Sequence, residues 1–417
     1  MRNMQKRRAT NRTKSPVVCI VSTTPPDGGG VSTYTKNLSE AFNLSNFHLA
    51  ILSQKSNCEK FRKRGFSDKI RIVDCWNEGF LYPFQIFKTL CQNKPQIVHI
   101  QHEYFIFGRA ISAALFPIVI FLTKFLRLKI VVTLHGIVNP VEIKDPELGS
   151  LGNENLQGMP IWLSQMGLLL ITRLITDNSN KIIVMNNTHK NVLIKQYHCS
   201  PKKIFLVPHG IPKSEPINQE IAKNKLGFDK QKVVLYFGYI TKYKGIDILV
   251  KAFEKIKDPN CVLVIGGAAH PRLKNDPDYK KFWDTIMSEI SSDKRIKFVG
   301  FIPDDQLSTY ISASDVVVFP YVASFSTGGP MNITVGHHRP VIASKVSSFS
   351  DILLASAVFK TGSISDLSQK LEKALDDDSY NLELSKSAKS IAAERSWKKV
   401  AKCTEDLYFH ILEKHKS

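Results

Sequence analysis

The sequence contains no apolar run long enough to cross a lipid bilayer. The charge-free stretch at residues 110–123 has fourteen residues, whereas a membrane-spanning helix needs about 20. A second apolar stretch, at residues 159–175, is interrupted by Arg173. Both stretches predict buried or interfacial helices rather than membrane spans.

Cysteine pairs with the spacing of a metal or redox site are also missing. The seven cysteines are scattered, odd in number and include no C-x-x-C pair, which argues against a disulfide framework and a zinc site. A secretory signal is not recognisable, because the apolar run at residues 17–21 is short and is typical of a strand. The sequence therefore predicts a cytoplasmic protein.

Acidic residues are few compared with basic ones. There are 37 Asp and Glu against 57 Lys and Arg, a formal net charge of +20. The first fourteen residues carry six of these cations and no acidic residue, which predicts either a solvated flexible tail or a contact with an anionic membrane surface. Because no nucleic-acid-binding motif is recognisable, we expect no nucleic-acid partner. The expected location is the cytoplasm, either free or peripheral at the inner face of the membrane.

Short runs rich in valine and isoleucine alternate with helical patterns along the whole chain. The runs are apolar on both faces, as in the strands of a parallel sheet covered by helices. This alternation predicts an α/β fold of two Rossmann-like doubly wound domains that face a cleft. The run at residues 203–207 is grouped with those of the second half.

A polar stretch that contains several prolines separates the two halves. Ligands of doubly wound sheets bind beyond the carboxyl ends of the strands, so the loops there are the candidate binding site. The predicted organisation is a basic flexible tail, an N-terminal domain, a linker, a C-terminal domain and a terminal amphipathic helix, at residues 1–14, 15–208, 209–231, 232–395 and 396–417.

Three glycine-containing loops follow predicted strands and precede predicted helices. Backbone N–H groups at such helix starts attract anions such as a pyrophosphate. Each loop taken alone is equally well explained as a flexible turn or as a pair of solvated lysines. Three such loops together indicate a phosphate site. Two of them lie in the second domain, which is therefore the predicted nucleotide-binding domain. The candidate donor-binding residues in these loops are Gly28, Gly29, Gly30, Lys242, Lys244, Ser326, Thr327, Gly328 and Gly329.

Histidines follow the strands of the first half. His99, His102 and Glu103 lie at the end of one predicted strand, and His135 follows the next. A metal site is an alternative, but alternation along a strand points His99 and His102 to opposite faces of the sheet. We therefore expect no metal. Polar contacts to a sugar or to an acceptor hydroxyl are predicted instead, with His102 and Glu103 on the acceptor side.

The loops and strand ends form an ordered series of motifs. They are Pro25-Pro26-x-Gly28-Gly29, Thr133-Leu134-His135, Val207-Pro208-His209-Gly210, Gly238-x5-Lys244-Gly245, Gly328-x-Pro330 and Pro340-Val341-Ile342-Ala343-Ser344. In this order they resemble glycosyltransferase family 4, which has the GT-B fold, over nearly the whole chain. The resemblance implies a retaining, metal-independent transfer of a hexose from a nucleotide-sugar to a glycan, lipid or small-molecule acceptor, without a cofactor.

The resemblance also implies roles for individual residues. Lys244 would neutralise the donor diphosphate, and Gly28 and Gly29 would approach the same diphosphate. His135 would lie beside the transferred sugar, so Lys244 and His135 are the candidate catalytic residues. The first domain would hold the acceptor and the second the donor, with the final helix returning to the first domain. Apolar helices could rest on a membrane if the acceptor is lipid-linked.

Two departures from the family pattern concern the donor pocket. Family members carry two glutamates eight positions apart, and the corresponding positions here hold Phe325 and Ile333. Neighbouring polar residues, among them Asn332, are candidate substitutes that would contact the donor. The arginine that the family carries in the preceding loop is replaced by Tyr239, which leaves Lys242 as a second cation.

Three interpretations of function remain open from the sequence. The first is an active glycosyltransferase. The second is another nucleotide-sugar enzyme of the same fold, such as an epimerase or a phosphorylase, because a fold does not determine a reaction. The third is a catalytically impaired sugar-nucleotide-binding or scaffold subunit, which the replacement of the two glutamates would favour.

Overall fold

The computed structural model describes most of the chain. The described residues are 15–25, 29–55, 66–104, 106–108, 110–142, 160–270, 273–323 and 329–413. Several predicted features lie outside these ranges: the tail at 1–14, Gly28, Phe325, Ser326, Thr327 and Gly328.

The chain divides into two compact units. Unit 1 contains residues 1–185, 189–207 and 400–417, and unit 2 contains residues 186–188 and 208–399. Each unit has its own hydrophobic core.

The predicted linker is not a separate segment. Residues 209–231 belong to unit 2 and include the helix Gln219–Leu226. Asn218 caps this helix by accepting a hydrogen bond from the backbone N–H of Ile221, and Gly227 ends it in the left-handed conformation. The prolines that suggested a linker all precede the cap, so the capping residues decide the local structure.

Within the residues that the structure describes, unit 1 is built on a sheet of seven parallel strands. They are β1 (Val17–Val21), β2 (His48–Gln54), β3 (Ile70–Trp76), β4 (Ile97–His102), β5 (Lys129–Leu134), β6 (Lys181–Val184) and β7 (Ile204–Leu206). Their order is β3-β2-β1-β4-β5-β6-β7, so the winding reverses between β1 and β4, as in a doubly wound fold. The run at residues 203–207, counted with the runs of the second half although it lies inside the predicted N-terminal domain at 15–208, forms the edge strand β7 of this first sheet, where it pairs with β6.

The helices that precede β7 are α1 (Gly29–Ala41), α2 (Tyr82–Asn93), α3 (Ala110–Ala114), α4 (Phe116–Phe125), α5 (Ile161–Asn178) and α6 (Asn187–Lys195). Helix α4 packs between α2 and α5. These three helices bury Ile86, Val119 and Ile175 in the same cluster as Val98 and Ile100 of β4, so they cover one face of the sheet. No helix in the described part of the chain has both the length and the hydropathy that a membrane span requires.

The described part of unit 2 is built on six parallel strands. They are β8 (Lys232–Phe237), β9 (Cys261–Gly266), β10 (Ile296–Gly300), β11 (Val316–Phe319), β12 (Val341–Ser344) and β13 (Val358–Phe359). In the order β10-β9-β8-β11-β12-β13, β8 and β11 are neighbours although about 80 residues separate them in the chain. The loops that follow these two strands therefore meet at one edge of the sheet.

Helices alternate with the strands of unit 2 along the chain. They are α7 (Gln219–Leu226), α8 (Ile246–Phe253), α9 (Pro277–Ser292), α10 (Asp304–Ala313), α11 (Gly329–Gly336), α12 (Ser347–Ser350), α13 (Ile364–Asp376) and α14 (Asp378–Glu394). Together the two parallel sheets with their helices confirm the predicted fold class of two Rossmann-like units.

The last helix, α15 (Trp397–Glu413), belongs to unit 1 from Val400 onward. Its Tyr408 is fully buried and packs against the rings of Phe42 and Phe47, with centroids 5.9 and 6.0 Å away. The terminal helix is therefore part of the core of unit 1.

Candidate functional site

The loop between β8 and α8 makes a tight turn at the carboxyl edge of the second sheet. A 3₁₀ turn at Lys242–Lys244 leads into Gly245, which has a φ of +66°. A Cβ atom on Gly245 would collide with the carbonyl oxygen of Pro320, which follows β11. Glycine is required there for both conformation and space, and the close approach holds the two loops together.

Lys244 is the cation that this turn buries. Its side chain is 9% exposed, and its Nζ donates a 2.6 Å hydrogen bond to the hydroxyl of Tyr321. The same Nζ lies 4.0 Å from the centroid of the Tyr321 ring. Among the described residues no carboxylate pairs with Lys244, and burial lowers the pKa of its amine to about 8.

A buried ammonium group without a carboxylate is costly unless another anion compensates it. The tyrosine hydroxyl and ring offset only part of the cost, since both are neutral. The arrangement is therefore suited to an anionic ligand at the edge of the sheet.

Tyr321 is the site residue that the sequence did not reveal. It is 3% exposed and packs edge-on against Phe349 at 5.0 Å. The backbone N–H of the next residue, Val322, donates a 2.8 Å hydrogen bond to the carbonyl of Tyr243. The only available signal was an aromatic residue just after a strand, which becomes informative once β11 is known to lie beside β8.

Lys242 and Tyr239 occupy the outer part of the same loop. Both are exposed, and the ring of Tyr239 lies edge-on to that of His270 at 5.2 Å. The two predicted cations thus differ: Lys244 is buried in the turn, whereas Lys242 faces solvent.

Of the third glycine-containing loop predicted from the sequence, the structure describes the residues from Gly329 onward. Gly329 and Pro330 begin α11, and Asn332 is buried, with 1% of its surface exposed. The side chain of Ile333, on the same helix, packs against the core of unit 2. An apolar side chain at this position is therefore used for packing.

In unit 1 the predicted diphosphate loop leads into α1. Gly29 and Gly30 are the first residues of this helix, both are exposed, and Gly29 has a φ of +55°. A Cβ atom at either position would meet nothing within 4 Å. These two glycines leave the helix start open to a ligand.

The strand-end histidines separate into two environments. His135 is 7% exposed, its Nε2 lies 2.8 Å from Oε1 of Gln101, and its ring meets Tyr34 edge-on at 4.7 Å. His102 faces the opposite side of the sheet and packs on Phe116 with ring centroids 4.5 Å apart.

Burial lowers the pKa of His102 to about 3, so the ring is neutral at physiological pH. The structure thus makes His102 a core residue, contrary to the expected acceptor-side position, because the even-numbered residues of β4 face the helices. Glu103, the next residue, is exposed. His99 contacts Tyr408 of α15, so His99 and His102 do lie on opposite faces and do not converge on one metal position.

Two family models match consecutive parts of the chain. The model described as Glycosyltransferase Family 4 matches residues 28–215, and the model described as Glycosyl transferases group 1 matches residues 218–391. The chain belongs to glycosyltransferase family 4. The two matches divide this family 4 chain close to the point where unit 1 gives way to unit 2.

Relatives and solved structures agree with this assignment. The D-inositol 3-phosphate glycosyltransferase of Corynebacterium aurimucosum is 27% identical over 253 residues, which are 56% of this family 4 chain and 58% of the relative. The chain therefore spans less than two thirds of the length of the curated relatives that it matches.

The fold is that of known GT-B structures. Anabaena HepE in complex with UDP has a TM-score of 0.73 at 15% identity, covering 95% of this chain and 100% of that one. Sucrose-phosphate synthase from Thermosynechococcus elongatus has a TM-score of 0.72 at 17% identity, covering 95% and 99%. At these identities the similarity establishes the GT-B fold and leaves the substrates to be argued from the site.

Proposed function

We propose that this chain is a retaining, metal-independent glycosyltransferase that moves a sugar from a nucleotide-sugar to a glycan, lipid-linked or small-molecule acceptor. The observation that carries the proposal is the buried Lys244, which has no carboxylate partner among the described residues and lies where the loops after β8 and β11 meet. A nucleotide diphosphate supplies the missing negative charge. The names of the relatives support this assignment, as do the HepE complexes with UDP and UDP-glucose.

The proposed chemistry uses the cations and helix starts of unit 2. When the bond from the anomeric carbon to the phosphate oxygen breaks, negative charge develops on the leaving diphosphate. Lys244, oriented by Tyr321, stabilises this charge, and the N-terminus of α11 at Gly329 adds backbone N–H groups. The acceptor oxygen forms its bond on the same face of the anomeric carbon, and its proton passes to the departing phosphate oxygen.

The other predicted residues have supporting roles in this proposal. Lys242 is a second, solvent-facing cation for the diphosphate, and Asn332 contacts the donor. Gly29 and His135 of unit 1 are proposed ligand contacts, for the diphosphate and for the transferred sugar respectively, and Gly28 lies outside the described residues. Lysines supply the charge that a divalent cation supplies in other phosphate-binding enzymes, so no metal or other cofactor takes part. Ser326, Thr327 and Gly328, the other predicted donor-binding residues, lie outside the described residues.

A panel of nucleotide-sugars tests the proposal directly. We expect one or more donors to raise the melting temperature of the full chain, and acceptor-dependent release of the nucleoside diphosphate to follow without added metal and in the presence of a chelator. Thermal stabilisation without release across a broad acceptor panel would instead favour a binding or scaffold subunit. Conversion of the donor without any acceptor would favour an epimerase.

Helix α5 supports a membrane surface as a further partner, because it exposes a row of large apolar side chains. Trp162, Met166 and Leu170 follow one another at four-residue spacing and are 60, 59 and 61% exposed. The buried residues of the helix are Ser164, Thr172, Thr176 and the apolar Ile175. A helix on the surface of a water-soluble protein normally exposes polar side chains. We therefore name Trp162, Met166 and Leu170 the apolar face of α5.

Neighbouring side chains enlarge the apolar face and surround it with positive charge. Phe121 and Phe125 of the adjacent helix α4 are 44 and 78% exposed. Lys124 and Arg173 are exposed on the same two helices, whereas Asp177 is their only acidic residue. Aromatic and long apolar side chains with flanking cations fit the interface of an anionic bilayer. This composition favours a peripheral position at the inner face of a membrane and a lipid-linked acceptor.

Vesicle flotation tests the apolar face of α5. We expect the full chain to float with vesicles of phosphatidylcholine and phosphatidylglycerol, and expect the triple change Trp162→Ser, Met166→Ser and Leu170→Ser to reduce binding about tenfold or more, since three inserted side chains are lost. Vesicles of phosphatidylcholine alone should bind less, because they carry no net charge.

The matched control removes three equally exposed apolar residues from unit 2, Ile221→Ser, Phe301→Ser and Leu382→Ser. It should float like the original protein. A chain lacking residues 1–14 separates the contribution of the basic tail. Equal vesicle binding by the α5 variant and the control variant would contradict the proposal. The proposal would also be contradicted if the α5 variant lost self-association but bound vesicles as before, because the apolar face would then contact a second copy of the chain.

A further inference from the structure

The segment that follows β5 is irregular and yet buried. Residues 135–138, which we name the β5 loop, belong to no helix or strand and are all shielded from solvent. Backbone N–H and C=O groups that are buried outside regular structure still need hydrogen-bond partners. The N–H of His135, the first residue of the loop, donates to the carbonyl of His102 at the end of β4, at 3.0 Å. At Val138, the last residue of the loop, side chains supply the partners.

Two tyrosine hydroxyls bind both backbone groups of Val138. Its N–H donates to the hydroxyl oxygen of Tyr104 at 3.1 Å, and the hydroxyl of Tyr197 donates to its carbonyl oxygen at 2.7 Å. A hydroxyl can both accept and donate, so the same type of side chain satisfies groups of opposite polarity. Tyr104 follows β4 and Tyr197 follows α6. Val138 is therefore tied to two other parts of unit 1.

A third hydroxyl, that of Thr172 on α5, joins the two tyrosines. Hydrogen bonds connect Tyr104 and Tyr197 to Thr172 and to each other. Thr172 is 4% exposed and Tyr197 is fully buried, so this cluster accounts for a hydroxyl on the buried side of α5. Burial raises the pKa of both tyrosine hydroxyls, and both therefore stay protonated at physiological pH. They act on the loop through geometry and not through charge.

The β5 loop needs an anchor beyond its first residue. Gly136 directly follows His135, and a glycine leaves the direction of the chain unspecified. Only three peptide bonds separate His135 from Val138, so a displacement of Val138 is passed on along the loop. We propose that Tyr104 and Tyr197 are positioning residues that, by holding Val138, fix His135 in the orientation that transfer requires. This inference rests on the proposed function, in which His135 contacts the transferred sugar.

Hydrogen exchange of the Val138 amide tests the anchor in the full chain without requiring activity. The chain is labelled with ¹⁵N-valine, and the Val138 signal is identified by its loss in Val138→Ile. Tyr104→Phe removes the acceptor of this N–H and should speed its exchange about tenfold, the effect of one lost hydrogen bond. Tyr197→Phe leaves that acceptor in place and should speed the exchange less. Unchanged exchange in Tyr104→Phe would overturn the proposal.

The ring signals of His135 test whether the anchor reaches the histidine. They are identified by their loss in His135→Asn. The ring lies edge-on to that of Tyr34, with centroids 4.7 Å apart, so its proton shifts report small displacements. We expect these signals to move in Tyr104→Phe and in Tyr197→Phe. His135 signals that stay unchanged in both variants would contradict the positioning role.

Tyr82→Phe is the matched control for Tyr197→Phe. Tyr82 is equally buried in unit 1, and its hydroxyl also donates to a backbone carbonyl, that of Ser112, at 3.0 Å. The same change removes the same kind of hydrogen bond away from the β5 loop. It should leave the signals of His135, the exchange of Val138 and kcat unchanged. Equal losses of kcat in the two variants would show general destabilisation and overturn the proposal.

A second pair of variants keeps the test open if a tyrosine variant does not fold. Thr172→Val removes only the third hydroxyl of the cluster, whereas Thr172→Ser retains a hydroxyl there. We expect the His135 signals to move in Thr172→Val and to stay in place in Thr172→Ser. Equal signals in these two variants would contradict the proposal.

Activity supplies an independent readout. A small displacement of a positioned group lowers kcat by about ten- to a hundredfold, and we expect such a loss in Tyr104→Phe and in Tyr197→Phe. The KM for the donor should change little, because the proposed diphosphate contact is Lys244 of unit 2. Displaced His135 signals with an unchanged kcat would overturn the positioning role. Displaced signals in a chain that transfers no sugar would uphold the anchoring of His135 and contradict the proposed function instead.

Discussion

Replacement of Lys244 by alanine is expected to lower kcat/KM for the nucleotide-sugar by about 100- to 1,000-fold, the loss typical when one preorganised charge-stabilising group is removed. The reason is the burial of its ammonium group beside Tyr321, where a compensating anion is worth far more than in water. Lys242→Ala is the matched control in the same 3₁₀ turn. Its side chain faces solvent, so the loss should be within about tenfold.

Binding of the nucleoside diphosphate, measured by calorimetry, separates affinity from chemistry. We expect Lys244→Ala to lose most of the binding and Lys242→Ala to keep most of it. Equal and negligible effects of the two changes would show that the diphosphate binds elsewhere. A larger effect of Lys242→Ala would place the anion on the outer side of the loop.

The same lysine gives the binding a defined pH dependence. Burial lowers the pKa of the Lys244 amine to about 8 in the ligand-free protein, so the amine is largely charged at pH 7 and largely neutral at pH 9. The diphosphate keeps its full charge over this range, because its last pKa is about 6. Affinity should therefore fall as pH rises through about 8, and the decline should be absent in Lys244→Ala.

Gly245→Ala is expected to destabilise unit 2 by about 2–5 kcal/mol and to abolish donor binding. A left-handed φ costs a non-glycine residue about 1–2 kcal/mol, and the new Cβ atom would collide with the carbonyl oxygen of Pro320, which adds about 1–3 kcal/mol of overpacking. Relief of the collision requires the loops after β8 and β11 to separate, and this movement displaces Lys244 from Tyr321. Urea unfolding and calorimetry measure the two effects.

Gly227→Ala separates backbone strain from collision. Gly227 ends α7 with a φ of +75°, but a Cβ atom there would meet nothing within 4 Å. We expect this control to lose only about 1–2 kcal/mol and to bind the donor normally. Similar destabilisation in both variants would contradict the proposed close approach of the two loops.

Much of the fold was predictable because it depends on local patterns. Short runs rich in valine and isoleucine that are apolar on both faces are typical of a parallel sheet with helices on both sides. The helices between them are predicted by apolar residues that recur every 3.6 positions. The run at residues 203–207 shows the limit of this reasoning, because it was counted with the runs of the second half although the predicted N-terminal domain at 15–208 includes it. A strand at an edge has the same composition in either sheet, and only its pairing with β6 assigns it to unit 1.

The candidate site was predicted in part. Lys244 stood out because a lysine beside a helix start is unfavourable without an anion, but its burial was not visible in the sequence. His102 looked like a site residue because it ends a strand, yet the face on which it falls packs against Phe116. The apolar stretch of α5 was visible too, although periodicity alone does not reveal that the larger apolar side chains face outward.

The sequence by itself determined which residues form strands, which loops are rich in glycine and which end of each strand carries polar chemistry. These properties depend on neighbours within a few positions. The tertiary structure decided that Lys244 meets Tyr321 and that Tyr104 meets Val138. Both depend on strand order: β8 lies beside β11, and β4 lies beside β5. Strand order results from packing the whole sheet against its helices, so no local pattern encodes these contacts.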